Sequence, residues 1–265
     1  MVFVQGGKYQ PSFADDEKEV FDIEVCKYPT TQKMWIEVME NNPSKFKGDN
    51  KPVELIAWWQ ALDYCNKLSE KYGLEPVYDL SKSAQGILMI KELGGETVYP
   101  DVANFKNTEG FRLPTEVEWE WFARGGQVAI EQGTFDYTYS GSNNVNEVAW
   151  YAENSGVKIN GSCISGGSTQ DVGLKKPNQL GLYDCSGNVW EMCYDTIEID
   201  KGGYYKNIEK GSSYTYKAFD SSNKNRVIRG GCFSEQAKFF SLFTRSYSEV
   251  VYGYSDIGFR FVRTV

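Results

Sequence analysis

The chemically versatile side chains of this chain are its thiols and carboxylates, because it contains no histidine. Six cysteines, Cys26, Cys65, Cys163, Cys185, Cys193 and Cys232, could act as nucleophiles or soft metal ligands. None form a CxxC pair, which excludes zinc ribbons and thioredoxin-like redox motifs. The missing imidazole excludes a Ser-His-Asp triad, an HExxH zinc site and a histidine-held iron. For most of these cysteines the simplest role is that of a small buried hydrophobe. Cys232 stands apart because it lies in RVIRGGCFSEQAKFFSLFTRSYSEVVYGYSDIGFRF (226–261), where RGG and GFR bracket a middle of Phe, Tyr and Ser.

Stepping outward from these groups, the elements that must position them are short. FDIEV alternates as a half-buried strand does, and Thr30 or Thr31 can cap a helix through QKMWIEVM. NNPSKFKGDNKPV is a loop punctuated by Asn, Pro and Gly. From Ile56 to Tyr72 the apolar residues Trp58, Ala61, Leu62, Cys65 and Leu68 share one face of a helix, and Gly73 suits its C-terminus. A hairpin and loop are expected over 79–108. Thr115 and Glu118 have capping-box spacing, predicting a helix over 116–124 that stops at Gly125-Gly126. Turn signals and no long periodic segment fill 127–225, and with no repeat or linker in sight residues 1–265 read as one domain.

Bulk composition narrows the function. A hydrophobic content of 41% suits a folded domain, and a net charge of −8 argues against gripping nucleic-acid phosphates. Aromatics at 15% with 26 glycines suggest a turn-rich fold held by large side chains. No apolar run is long enough to span a bilayer.

NNPSKFKGDNKPVELIAWWQALDYCNKLSEKYGLEPVY, GFRLPTEVEWEWFARGG, KKPNQLGLYDCSGNVWEM and RVIRGG…GFR occur in this order. Together they closely resemble the formylglycine-generating enzyme (sulfatase-modifying factor) family over essentially the whole chain. The resemblance implies a mixed α+β, C-type-lectin-like fold, with two main helices on small twisted sheets and much irregular chain. The family's enzymes use two copper(I)-binding cysteines four and nine residues past this Gly-Gly. Those positions here are Glu235 and Phe240, and neither offers the thiolate that Cu(I) prefers. A second enzymatic branch needs a histidine-bound iron. No catalytic cofactor or catalytic residue is therefore expected; a divergent oxygenase with a thiol site rearranged around Cys232 is the alternative. The resemblance also implies a structural calcium site from the Asp184 side chain, the Gly187 and Val189 carbonyls and the Glu191 carboxylate. Its counterpart reading has Asp184 capping the turn and Glu191 pairing with an arginine.

Seven aromatics, Phe233, Phe239, Phe240, Phe243, Tyr247, Tyr252 and Tyr254, follow no clean period, so they cannot all face one core. Mixed with Ser, Gly and Asp, they have the composition of a paratope. In this position they resemble the variable proteins of diversity-generating retroelements, the Treponema type above all. The resemblance implies a ligand-binding region at about 232–256, rewritten at adenines. Many residues there are reachable from AAC codons by changing adenines; Glu235, Gln236, Lys238 and Glu249 are not. The expected ligand contacts are Phe233, Ser234, Glu235, Gln236, Phe239, Phe240, Tyr247, Tyr252, Tyr254, Ser255 and Asp256. Gly230, Gly231, Arg245, Gly258, Phe259 and Arg260 are the expected frame. The expected partner is a protein or cell-surface ligand held by a monomer, with no nucleic acid. Met1 falls in the family's first motif, where methionine is commonly internal. An export signal ahead of it, surface display and a lipoprotein anchor are the corresponding expectations.

Overall fold

The computed structural model describes residues 1–100, 103–156, 158–159, 162–163, 167–199, 201, 205 and 224–265. Part of the loop expected over 127–225, and the Cys163 side chain, lie outside the described residues.

Three helices carry the buried aromatic mass. Helix α1 (Gln32–Met39) is capped by Thr31, whose hydroxyl accepts from the Met34 amide. Helix α2 (Trp58–Lys71) starts two residues later than the periodicity suggests. The turn begins when Gln60 Oε1 accepts from the Ala57 amide, which leaves Ile56 in the preceding chain. Gly73 follows with φ 70°, the left-handed conformation that glycine adopts without a Cβ penalty. The two helices meet through Trp35 stacked on Tyr64, ring centroids 5.4 Å apart.

Helix α3 (Glu116–Ala123) has the capping box read from its sequence: Thr115 Oγ1 accepts from the Glu118 amide, and Glu118 Oε2 from the Thr115 amide. Every residue of α3 is buried, including Glu116, Glu118 and Glu120. Three buried carboxylates survive there because each has an arginine. Arg112 forks onto Glu118, and Arg229 spans Glu116 and Glu120, all at 2.6–2.8 Å. Arg245 adds a second fork on Glu116.

Two four-stranded sheets organise the rest. One has the order Val2–Val4, Ile23–Val25, Val262–Thr264, Phe111–Arg112. The other runs Arg245–Glu249, Asn225–Arg229, Trp190–Thr196, Ile257–Phe259, its last pair parallel. The strand Trp190–Thr196 was not legible as a strand. Its first six residues are all buried, so polar and apolar residues do not alternate along it. Residues 79–108 contribute to a small three-stranded antiparallel sheet with Tyr78–Asp79, Met89–Lys91 and Thr97–Val98.

Candidate functional site

The segment 232–256 begins after Gly230-Gly231, supplies the edge strand Arg245–Glu249 of the second sheet and re-enters that sheet at Ile257. Both glycines have positive φ, 96° and 78°. A Cβ on Gly231 would sit 2.6 Å from the Phe240 ring, so the glycine is a close-approach site as well as a turn. At the other end, Gly258 packs so that a Cβ would meet Val53 O at 2.6 Å. Phe259 is fully buried against Trp35 and Tyr64, and Arg260 is fully buried on Glu191. Arg245, in the middle, is held by Glu116. These frame residues face inward and are tied by hydrogen bonds or packing.

Between them the aromatics divide into two groups. Phe239 is 61% exposed, Tyr252 54%, and Tyr247 and Tyr254 43% each. Phe243 and Val251 are exposed as well. Tyr252 and Tyr254 meet edge-to-face at 6.4 Å. Ser234 and Gln236 are exposed, while Glu235, Ser255 and Asp256 are half-buried.

Phe233 and Phe240, expected as ligand contacts, are instead core residues. Phe240 is 3% exposed and packs between Tyr139 and Tyr151 over the bare backbone of Gly231. Phe233 is 5% exposed, edge-on to Phe46 at 5.3 Å, with its carbonyl bound by Ser155 Oγ. Burying a large ring removes it from water and gives it fixed neighbours, so neither ring is presented to a partner.

The loop carrying Tyr252 and Tyr254 is clamped to a neighbour that the sequence did not single out. Leu55 donates its amide to Tyr254 O at 3.0 Å, and a Cβ on Gly253 would fall 2.5 Å from the Leu55 carbonyl carbon. Leu55 takes φ 58°, an uncommon conformation for a branched residue and costly by roughly 1–2 kcal/mol.

Sulfur chemistry finds little support at this site. Cys232 is buried, 3.2 Å from Ser234 Oγ and 3.8 Å from Asp256 Oδ2. Burial pushes its thiol up to about 12, so it stays protonated and weakly nucleophilic at neutral pH. The other cysteines with described side chains, Cys26, Cys65, Cys185 and Cys193, are buried and free.

The implied calcium donors Asp184, Gly187, Val189 and Glu191 do not suit the ion as a set. Glu191 accepts from Arg260 Nη2 at 2.7 Å and Nε at 3.1–3.2 Å, and from Trp119 Nε1 at 2.8 Å. A guanidinium already neutralises the carboxylate that should face the cation, so the arginine-paired arrangement is the one formed. Asp184 Oδ2 accepts from the Gly173 amide at 2.7 Å, while its buried Oδ1 has no hydrogen-bond partner. Burial raises this carboxyl to about 6. Among the described residues no group of three or more acids or thiols could hold a metal.

A profile described as the sulfatase-modifying factor enzyme 1-like domain matches residues 1–265. Chaperone protein LppX of Paenibacillus barcinonensis is 37% identical over 255 residues, 86% of this chain and 89% of that protein. A formylglycine-generating enzyme of Mycobacterium tuberculosis is 33% identical over 157 residues, 53% of this chain and 44% of the enzyme. Among solved structures, Treponema denticola variable protein 1 aligns over 100% of this chain and 95% of its own, with 31% identity and a TM-score of 0.74.

Proposed function

The chain belongs to the sulfatase-modifying factor family, with the C-type-lectin-like fold and the variable-protein type, and from that premise we propose that it is a non-catalytic binding protein. Its binding surface is the segment 232–256, a diversified display held on a fixed frame. The observation that carries this reading is the exposure of Phe239, Tyr247, Tyr252 and Tyr254 between inward-facing frame residues. Large rings kept in water at a cost tend to mark an interaction site, and rigid rings beside small polar residues bind at low entropic cost. The positions of the family's copper thiols hold Glu235 and the buried Phe240, which supports the absence of that oxidation chemistry. The partner is a protein or cell-surface molecule, met outside the cell, with lipidation as the route of display. Among the described residues no helix is long and apolar enough to cross a membrane.

Two experiments test this. Sequencing the gene's surroundings should find a near-copy of the 3′ end, differing at adenines, beside a reverse transcriptase gene; its absence removes the diversification claim. For catalysis, Cu(I) titration of wild type against Cys232→Ser should show no tight, thiol-dependent binding, and such binding would revive the oxygenase alternative.

A second reading is favoured by the similarity to a protein named as a chaperone. In it the same surface holds an unfolded or immature client. Suppression of client aggregation that is lost in Tyr252→Ala and Tyr254→Ala would select it over a display role.

A further inference from the structure

We propose that the cleft beside helices α1 and α2 is a second binding site, which takes a small neutral molecule made of an aromatic ring, a short alkyl tail and one hydroxyl. The site shares no residue with 232–256, so it stands or falls apart from the binding surface described above. The cleft follows from how the two helices meet. Trp35 stacks on Tyr64 in the α1–α2 contact, and Lys71 Nζ donates to Glu37 O at 3.3 Å, tying the last turn of α2 to α1. Next to these ties a cavity of about 270 Å³ remains. Its apolar walls are Met34 and Val38 of α1, Leu68 of α2, and Phe111 and Phe261. Protein interiors are packed as densely as organic crystals and keep few voids larger than a water molecule. An apolar cavity of about 150 Å³ already admits benzene, so this one has room for a ring with a tail of a few carbons. The thioether of Met34 can adapt to the edge of such a ring.

Tyr64 supplies the polar contact. The residue is 1% exposed, and its ring is fixed by Trp35, Phe259 and Phe261. Its hydroxyl makes no hydrogen bond among the described residues, yet it is not sealed from solvent as the chain's buried orphan atoms are. Tyr64 lines the cavity and has almost no other surface, so the cavity is where that hydroxyl points. Burial raises the hydroxyl well above an ordinary phenol, so it stays an O–H that can donate to, or accept from, one oxygen of a ligand.

The mouth of the cavity decides the charge of the occupant. Glu37, Lys71 and Tyr72 line it and are exposed. With one charge of each sign at the entrance, neither an anion nor a cation gains by entering. An apolar wall with a single convergent hydroxyl is the pattern of a site that orients a largely apolar molecule by one hydrogen bond. A phenol with an alkyl tail meets both requirements.

The test is titration of the full chain, carrying isotope-labelled methionine methyls, with para-propylphenol, propylbenzene and para-propylbenzoate. The phenol should shift the Met34 methyl resonance, assigned through Met34→Leu, in a saturable way. Propylbenzene and the benzoate should bind about fivefold or more weakly, since neither offers Tyr64 a neutral hydroxyl. Tyr64→Phe should bring the phenol down to the affinity of propylbenzene and leave propylbenzene unchanged. Because that hydroxyl has no partner to lose, this variant should melt no lower than wild type. Val38→Phe, which fills the cavity, should abolish binding of the phenol and propylbenzene alike. Absence of a saturable Met34 shift in the wild type overturns the site. Equal affinity of the phenol for wild type and Tyr64→Phe overturns the role of the hydroxyl, and tighter binding of the benzoate overturns the neutral class.

Discussion

Glu235 shows how a single residue can report on its surroundings. Its carboxyl is raised from an ordinary 4.5 to about 7, first by burial and then by Asp256. The folded chain therefore keeps a proton that the unfolded chain releases between those values. Stability from this group falls as pH rises through that window and levels off above it. Glu235→Gln should accordingly raise the melting temperature, by more at pH 8 than at pH 5; an equal shift at both pH values would contradict the assignment. The ring residues give a second contrast at this scale. Phe233→Ala and Phe240→Ala should each cost about 3–5 kcal/mol in denaturant unfolding, because each empties a packed site. Phe239→Ala, Tyr252→Ala and Tyr254→Ala should each stay within about 0.5 kcal/mol of wild type. Sequence reasoning could count these aromatics but could not sort them. Phe240 is buried because Gly231 lies beneath its ring, and nothing in local spacing announces that contact.

At the level of elements, buried ion pairs and tight backbone contacts hold the frame. Arg260→Met leaves Glu191 buried beside Trp119 without its cation, and should cost about 3–5 kcal/mol; Glu191→Leu on that background should recover part of it. Because Arg260 already occupies Glu191, a calcium chelator should leave the thermal midpoint unchanged, and a fall on chelation would refute the arginine-paired arrangement. Gly253→Ala should push the 250–256 loop off Leu55, costing about 1–3 kcal/mol and exposing the Leu55 amide to hydrogen exchange. Elements with local signals were legible: Thr115 and Glu118 announced α3, and the apolar stripe from Trp58 to Leu68 announced α2. Trp190–Thr196 gave no such signal, since a strand covered on both faces lacks alternation. Nor did Leu55, whose role depends on where Tyr254 O arrives from about two hundred residues away.

Across the whole molecule, the ordered motifs disclosed the family and the fold, because they carry residues spread along the entire chain. The contact of the Cys232 thiol with Asp256 was not disclosed, since it exists only once both ends of the segment are docked. That docking also bears on how the molecule assembles. Strand Val262–Thr264 lies between Ile23–Val25 and Phe111–Arg112, pairing with both. The first sheet therefore cannot close until the chain has been made through residue 264, after the whole of 232–256. Joining residues so distant in sequence favours slow folding. Residues 232–256 are thus already part of the chain while the sheet is still open, so substitutions there bear on folding as well as on what the surface presents.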